Sequence, residues 1–551
     1  MLQDRYLRGK VPDDIDVIVI GSGIGGLATA ALLSKCGLHV LVLEQHYRAG
    51  GNTHTFDEVG NNYFDSGIHY VGSMWILQPL LALIANVGIS WSPMGTEEDG
   101  FTYDKFDLGG SPPTMVEYRA GVRALQHELE TKFPAEKDNI ARYLARVKKC
   151  QGIVYLISLL RVLPRWVLAL VGPRIHATVR KVTCRTSADV VAQYVKDPQL
   201  RAILSGGQML DWNLEPDRVS WWVTMQMMTY YQDGAFYPTG GAHKIAEAII
   251  PTIEWRGGRV LCRAQVSGIL VDEKTNAAVG VRLKNGDEIR ARYIVSDAGA
   301  TNTYAKLLPE KVVNAVGLKT KVPRLASSHG HMTGFISLDG PPEAFDLSPA
   351  NIHSMPSLHL FNNDVSEMQR ALYRDPKAVA DPFVLVTCPS AKDPEYLKAY
   401  PGRSNVLMLA EANYEWFDSL GETPVGKRGD AYKAFKDHWK EIFLARLYRV
   451  YPKTRGHVVD VEVGTPKTNE HYLAADRGES YGLEWTPEHF DYQLGQDYLR
   501  PDTRIPNLYL TGEASLFGGF VGATVSGYIT ALTMVGPRRL LWNLARQFEA
   551  W

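Results

Sequence analysis

The chain has 551 residues, too many for one hydrophobic core, so two or three domains are expected. Its formal net charge of −1 excludes a general attraction to nucleic acid, and a hydrophobic share of 45% with a charged share of 22% excludes a disordered chain. Five scattered cysteines without a Cys-x-x-Cys pair argue against a zinc site or a redox dithiol, so we expect no metal and a reducing compartment.

The N-terminal region predicts a dinucleotide-binding unit. An apolar run of strand character, Val17–Ile20, leads into a glycine turn and a helix of small residues, and a second apolar run, Val40–Leu43, ends in Glu44. In such β–α–β units the glycines permit a tight turn and a close approach of the pyrophosphate to the helix N-terminus. The Glu44 carboxylate can accept both hydroxyls of an adenosine ribose and repels a 2′-phosphate, which disfavours NADP. The turn glycines are Gly21, Gly23, Gly25 and Gly26.

The residues after Glu44 favour FAD as the bound cofactor. Gln45, Arg48 and the pair Gly50-Gly51 resemble the segment that extends the pyrophosphate cradle in flavoproteins of the glutathione-reductase type. The sequence shows no second strand–glycine–helix unit for a nicotinamide. We therefore expect NAD(P)H, where it is used, to act as an external reductant.

The next segment resembles a known family. GGNTHTF over residues 50–56 and FDSGIHYVG over residues 64–72 are similar to the family of retinol saturases, carotenoid isomerases and bacterial-type phytoene desaturases. In that family the segment runs beside the flavin, which implies that Gly67 contacts the cofactor. His69, Tyr70 and Tyr237 are the candidate proton donors or positioning groups, because an imidazole exchanges protons near neutral pH. A hydrogen-bonded core histidine is the alternative for His69.

The segment Ile153–Gly172 is strongly apolar but contains Arg161, Pro164 and Arg165. The two arginines lie one helical turn apart and therefore share a face. We predict a helix in a membrane interface, with the arginines at the headgroups and Trp166 in the acyl region. A buried helix with paired arginines is the alternative.

The predicted location depends on the expected lack of a membrane-spanning helix and of a signal peptide. No stretch reaches ~18 uninterrupted apolar residues, so no spanning helix is expected. The segment MLQDRYLRGKVPDDIDV has no apolar core of signal-peptide length, so no signal peptide is expected. We predict a protein of the cytoplasm or an organelle lumen that associates peripherally with a membrane.

Two middle segments add to the predicted site. Asp211–Asp233 is rich in Trp, Tyr and Met, which indicates either a core or the wall of a tunnel for a long polyene. The element from Tyr237 to Gly241 resembles the Tyr-Pro-x-Gly-Gly element of the same family. Val266 resembles the residue whose backbone contacts the FAD adenine.

The C-terminal region resembles a second FAD fingerprint. An apolar strand, Ile505–Leu510, is followed by Gly512-Glu513, where the resemblance implies that the acid contacts the ribitol or phosphate end of the flavin. Gly522 and Ala523 begin the next helix, whose positive end can stabilise negative charge on the reduced flavin.

These elements predict an α/β fold, with a Rossmann-type FAD-binding domain of the glutathione-reductase/amine-oxidase kind and an inserted α+β substrate domain. Residues 1–100, 234–300 and 465–551 are expected to form the FAD-binding domain. Residues 101–233 are expected to form a helical, membrane-contacting substrate region, and residues 301–464 a substrate domain with a mixed sheet.

The resemblance implies a FAD-dependent oxidoreductase or redox-isomerase that acts on C=C bonds of a polyene lipid by hydride or electron transfer with proton transfer. A polyunsaturated-fatty-acid double-bond isomerase on the same fold is an alternative. It needs a basic carboxylate anchor, for which Arg161, Arg165 and Arg174 are candidates. A non-catalytic prenyl-lipid escort protein is a further alternative, disfavoured by the intact glycine turn. Reduction, desaturation and isomerisation stay open at this point.

Overall fold

The structure is a computed structural model that describes residues 2–110, 113–318, 326–420, 427–491, 495 and 498–548. Its strands, in chain order, are β1 Val17–Ile20, β2 Val40–Leu43, β3 Thr55–Val59, β4 Asn62–Asp65, β5 Trp91–Pro93, β6 Thr102–Gly110, β7 Pro113–Arg119, β8 Phe236–Pro238, β9 Arg259–Leu261, β10 Val266–Val271, β11 Ala278–Leu283, β12 Glu288–Arg290, β13 Tyr293–Ser296, β14 Gly330–Leu338, β15 Asn351–Ser354, β16 Val384–Thr387, β17 Ser404–Ala412, β18 Val458–Gly464 and β19 Leu508–Leu510. Its α-helices are α1 Ile24–Lys35, α2 Met74–Ile84, α3 Val122–Lys132, α4 Lys137–Cys150, α5 Ile153–Val162, α6 Arg165–Thr183, α7 Ser187–Tyr194, α8 Pro198–Gly206, α9 Trp221–Tyr230, α10 His243–Glu254, α11 Glu310–Ala315, α12 Val365–Arg374, α13 Pro389–Lys392, α14 Tyr396–Ala399, α15 Asp430–Val450, α16 Pro466–Leu473 and α17 Gly519–Phe548.

A five-stranded parallel sheet forms the first layer, in the order β19-β13-β1-β2-β9. The continuous apolar runs of β1 and β2 are explained by burial on both faces, since helices cover a parallel sheet on each side. Helix α1 is buried almost all round between α10 and α17. Because β19 and α17 come from the end of the chain, the two chain ends complete one domain and the middle is inserted. The predicted α/β fold is confirmed.

The inserted part is built on a seven-stranded sheet in the order β18-β14-β17-β16-β15-β6-β7. All neighbours are antiparallel except β15 and β6, where Asn351 pairs with Asp104 in parallel. The hairpin of β6 and β7 therefore belongs to this sheet, and the prediction that a helical region starts at residue 101 is wrong for Thr102–Arg119. Helices α3 to α9 follow the hairpin.

The predicted interfacial helix Ile153–Gly172 is in fact two helices, α5 and α6, separated at Leu163 and Pro164. Proline has no N–H to donate and disfavours a helical conformation at the preceding residue, which accounts for the break. Arg161 is buried and donates to the carbonyl of Gly495. The prediction that Arg161 lies at the headgroups is therefore wrong, because a partner 334 residues away takes its side chain.

Helix α17 is long and apolar enough, by length and composition alone, to cross a membrane over Gly519–Ala545. The prediction of no spanning helix overlooked it because polar residues interrupt the run. In the structure 44% of its most apolar window is buried inside the protein, and its first half packs on α1. Gly536, with φ +77°, interrupts the helix near its end.

Candidate active site

A cavity of about 1590 Å³ follows the carboxyl ends of β1, β2 and β13 and continues to the inner face of β14 and β17. In open α/β sheets this edge is where ligands bind. Pockets for one ligand commonly measure about 300–1,000 Å³. The cavity therefore has room for a dinucleotide and a second ligand.

The glycine turn sits at one end of this cavity. Gly21 has φ +96°, a conformation that favours glycine. A Cβ atom at Gly25 would lie 2.5 Å from the Cα atom of Gly512, and one at Gly26 would lie 2.6 Å from the carbonyl oxygen of Gly21. Gly25 and Gly26 must therefore be glycines, because a side chain at either position would collide with backbone atoms. At Gly25 these atoms belong to Gly512, so the N-terminal unit contacts the C-terminal motif here.

Asp297, directly after β13, also holds the turn and was missed from the sequence. Its carboxyl group accepts the N–H groups of Gly26 and Gly23 at the start of α1. Burial raises the pKa of Asp297 to about 7, with a further contribution from Glu44. The sequence could have indicated Asp297 by the same pattern as Glu44, because each acid directly follows an apolar strand.

Glu44 is fixed at the end of β2 by three donors. One carboxylate oxygen accepts the N–H of Ser22 at 2.9 Å and its hydroxyl at 2.5 Å, and the other accepts the N–H of His46 at 2.8 Å. The carboxylate also lines the cavity. The carboxylate therefore lies beside the glycine turn, and its contact with an adenosine ribose stays a prediction.

Two further carboxyl groups line the cavity beside the C-terminal motif. Glu513 accepts the N–H of Gly519 at 3.1 Å, and Glu479 accepts the N–H of Gly482 at 2.6 Å. Burial raises the pKa of Glu513 to about 8, and the neighbouring Glu479 raises it further. Glu479 lies in the polar loop after Thr465, from which several residues line the cavity.

Most residues predicted to bind the cofactor line this one cavity. They are Gly21, Gly23, Gly25, Glu44, Gln45, Arg48, Gly51, Gly67, Val266, Gly512, Glu513, Gly522 and Ala523. Gly26 and Gly50 lie outside the lining and shape the backbone instead, Gly50 with φ +125°. Contact with the cofactor itself stays a prediction for each of them.

His69 and Tyr70 line the cavity, whereas Tyr237 does not. Burial lowers the pKa of His69 to about 3, with Lys392 and His331 contributing, so the imidazole is neutral at pH 7. Its Nδ1 atom is buried without a hydrogen-bond partner in the part of the chain that the structure describes. The Tyr70 hydroxyl donates to Asp211 at 2.8 Å.

Tyr237 is fully buried, and its hydroxyl donates to the buried carboxyl group of Asp65. Asp65 also accepts the N–H of Ala242 at 3.2 Å. These bonds tie the start of α10 to β4 outside the cavity. The placement contradicts a catalytic role for Tyr237, which the likeness of its sequence element to the family had suggested.

The aromatic segment Asp211–Asp233 is both core and cavity wall. On α9, Trp221 faces the core, whereas Trp222 lines the cavity with its ring 5.7 Å from that of Phe517. Tyr231 stacks on Tyr70 at 4.5 Å. The wall thus touches both segments that flank the predicted flavin site.

The comparisons agree with this geometry. The family model described as flavin containing amine oxidoreductase matches residues 24–317. An all-trans-retinol 13,14-reductase of Danio rerio is 35% identical, covering 100% of this chain and 91% of its own. The chain belongs to this flavin-containing oxidoreductase family, with the all-trans-retinol 13,14-reductases. A chloroplastic prolycopene isomerase of Daucus carota is 26% identical over 94% of this chain and 79% of its own.

Solved structures show the same fold. A putrescine oxidase bound to putrescine has a TM-score of 0.61, with 15% identity over 95% of this chain and 99% of that one. Membership of the family makes the protein a flavin-dependent oxidoreductase, and the predicted cofactor FAD is confirmed. The cavity residues fit FAD: Gly25 and Gly26 approach backbone too closely for side chains, Glu44 lies beside the turn, and the N-termini of α1 and α17 line the cavity. When bound, FAD supplies the hydride or electron chemistry.

Proposed function

We propose that the protein acts on a carbon–carbon double bond of a polyene lipid, by reduction or by geometric isomerisation. The aromatic wall carries this proposal, because α9 contacts Phe517 on one side of the flavin site and Tyr231 contacts Tyr70 on the other. An extended apolar chain along this wall has its double bonds beside the flavin. The names of the relatives, a reductase of all-trans-retinol and an isomerase of prolycopene, support the same substrate class.

The wall also suits the chemistry. A polyene has no carbonyl group to take up the charge of an added hydride, so reduction needs a proton donor as well. Positive charge that develops along the polyene is stabilised by aromatic faces, by about 0.5–2 kcal/mol for each contact. Trp222, Tyr230 and Tyr231 offer such faces in the cavity.

The roles of the chain segments follow from this proposal. Residues 1–100, 234–300 and 465–551 hold FAD. Residues 301–464, with the hairpin of β6 and β7, form the floor of the substrate space, and the helices that follow the hairpin form its wall. A nicotinamide reduces the flavin from solution.

A double-bond isomerase of polyunsaturated fatty acids is the second candidate. Its predicted anchors Arg161, Arg165 and Arg174 do not line the cavity. Arg161 donates to the carbonyl of Gly495, and Arg165 pairs with Asp502 at 3.0 Å. Arg428 and Lys467 do line the cavity, however, and a carboxylate can bind there. A flavin-free escort protein has no such observation in its favour.

The deciding experiment incubates the FAD-loaded protein, reduced under anaerobic conditions, with retinol, carotenes and linolenic-type acids in turn. Reduction adds two hydrogen atoms to the product and oxidises the flavin, whereas isomerisation leaves the mass unchanged and moves the absorbance maximum. We expect a polyene alcohol or hydrocarbon to react and the fatty acids to be recovered unchanged. Unchanged polyenes with the flavin still reduced would contradict the proposal, and turnover of the acids alone would favour the second candidate. Oxidised enzyme is the control.

We further propose that the cavity opens towards a membrane surface. Trp75 and Tyr155 line the cavity and are 63% and 65% exposed. On the neighbouring helix α6, Trp166 and Leu170 are 72% and 69% exposed and lie one turn apart. Exposed basic residues lie before α5, at Lys148 and Lys149, and in the last turn of α6, at Arg180 and Lys181. This charge suits a helix pair at an anionic lipid surface.

Vesicle binding tests this surface. Wild-type protein is expected to sediment with phosphatidylcholine–phosphatidylserine vesicles. The double variant Trp166→Glu, Leu170→Glu loses roughly tenfold or more in partitioning, since burying one such side chain contributes about 1.5–3 kcal/mol. Trp255→Glu is the control, because Trp255 is 79% exposed and directly follows α10, away from α5 and α6 in the chain. Equal binding of all three proteins would contradict the proposal.

A further inference from the structure

A polar cluster lies in the cavity wall opposite the cofactor cradle. The hydroxyl of Tyr70 donates to one carboxyl oxygen of Asp211 at 2.8 Å and lies 3.3 Å from a carboxyl oxygen of Asp104. Tyr70 and Asp211 line the cavity, whereas Asp104 is fully buried behind them. A carboxyl group therefore faces the substrate space with a second one at its back.

The two carboxyl groups are surrounded very differently. Asp104 accepts side-chain N–H groups from Gln208 at 2.9 Å and from Asn351 at 3.0 Å, and the ring of His353 lies 3.3 Å away. Asp104 is therefore held by polar partners on both of its carboxyl oxygens. Among the residues that the structure describes, the side chain of Asp211 accepts one hydrogen bond, from Tyr70, which suits a neutral carboxyl group.

Burial has the largest influence on the pKa of Asp211, and the neighbouring groups act on it in both directions. Burial raises the pKa of Asp211 to about 7; Asp104 raises it further, whereas His353, Tyr70 and Lys392 lower it. A carboxyl group with this pKa is protonated in a large fraction of molecules near neutral pH and is a strong enough acid to give the proton up. The titratable groups that face Asp211 from the surrounding elements are Tyr70, Asp104, Tyr230, Tyr231, His353, Lys392 and Tyr481.

We propose that Asp211 is the catalytic acid of the polyene reaction and that Tyr70 is its positioning residue. The proposal rests on the proposed function. In a reduction, the O–H bond of Asp211 breaks and a C–H bond forms at one alkene carbon, while the other carbon receives the hydride that reduced flavin supplies. The π bond is consumed, the product gains two hydrogen atoms and the flavin is oxidised.

The chain then restores the acid. The Asp211 carboxylate keeps the hydrogen bond from Tyr70 and takes a proton from bulk water as the product leaves. The other candidates are less suitable acids. The pKa of His69 is lowered to about 3, so its imidazole is neutral at pH 7 and lacks the acidic imidazolium proton, and burial raises the pKa of Tyr70 well above 10.

Asp297, Glu479 and Glu513 also line the cavity with raised pKa values. Each of them accepts a backbone N–H group, at the glycine turn, in the loop after Thr465 or at the start of α17. Asp211 instead accepts from Tyr70 beside the aromatic wall, and this placement together with its acidity distinguishes it.

The test compares Asp211→Asn with Asp217→Asn in the FAD-loaded protein. Asn keeps the acceptor for Tyr70 and the side-chain volume but has no proton to give, so the single-turnover rate with a polyene is expected to fall by about 10²–10⁴-fold. Asp217 is a surface residue paired with Arg370 at 2.5 Å, and its variant is expected to keep the wild-type rate. The wild-type rate constant falls as pH rises above about 7, since the protonated form is the active one.

Two readouts separate a catalytic role from a structural one. The infrared C=O band of a neutral carboxyl group is expected to titrate near pH 7 in the wild type and in Asp217→Asn, and its Asp211 component is absent from Asp211→Asn. Tyr70→Phe removes a hydrogen bond that lowers the pKa of Asp211, so the alkaline limb of the rate profile moves to higher pH.

The outcomes distinguish the two proposals. Wild-type turnover with an unchanged rate in Asp211→Asn overturns the acid role and leaves the polyene function standing. A wild-type protein that converts no polyene overturns both. Loss of rate together with loss of bound FAD in Asp211→Asn, but not in Asp217→Asn, assigns the residue to the cofactor site and overturns the acid role as well.

Discussion

Replacing Gly25 by alanine is expected to give a protein that is purified without FAD. A Cβ atom at this position would lie 2.5 Å from the Cα atom and 2.6 Å from the N atom of Gly512. Both are backbone atoms, so α1 must move away from the C-terminal motif. Strain of about 1–3 kcal/mol is usual for such overpacking. The strain falls on the start of α1, whose N–H groups are predicted to face the pyrophosphate. We therefore expect roughly tenfold to hundredfold weaker FAD binding.

The measurement is the flavin absorbance per protein after gel filtration, followed by titration of the flavin-free protein with FAD. Gly152→Ala is the matched control, because a Cβ atom there meets nothing within 4 Å and φ is −66°. Circular dichroism checks that both variants are folded. Full FAD occupancy in Gly25→Ala would show that the two chain ends do not need this close approach.

This part of the site was predictable because its signals are local. Strand, turn, helix and Glu44 occupy consecutive positions, and each has a physical reason that can be seen in the sequence. The glycine pair and Gly512-Glu513 were found by likeness to flavoproteins. The contact between Gly25 and Gly512 could not be deduced, since the two positions lie at opposite ends of the chain.

The residues and elements that were missed or predicted wrongly depend on contacts between distant parts of the chain. Asp211 is an acid in an aromatic segment, and its partner Tyr70 lies 141 residues earlier, so no spacing rule connects them. Thr102–Arg119 was wrongly assigned to a helical region. The strand that β6 joins, β15, begins only at Asn351, so no local pattern in the sequence shows the pairing. The break at Pro164 was visible in the sequence, but the burial of Arg161 depends on Gly495 and was not.

Replacing Lys392 by methionine is expected to destabilise the protein by roughly 3–5 kcal/mol. The Lys392 ammonium is buried and donates to the carbonyl of His69 at 2.9 Å and to the side chains of Asn351 and Thr387, each at 2.6 Å. It thereby fastens the seven-stranded sheet to the segment beside the flavin. Methionine fills a similar volume but leaves all three acceptors without this donor. Thermal unfolding, followed by circular dichroism and flavin release, is expected to shift down on the order of 5–10 °C.

Lys398→Met is the control for this change, because the Lys398 side chain is 72% exposed and pairs with Glu395 across one helical turn, a contact that contributes little. Lys392 also lowers the pKa of Asp211, so the pKa of Asp211 rises when the cation is removed. The carboxyl band of Lys392→Met is therefore expected to titrate at higher pH than in the wild type, while Lys398→Met keeps the wild-type value. An unchanged unfolding temperature and an unchanged titration would show that the buried cation neither fastens the two domains nor acts on the proposed acid.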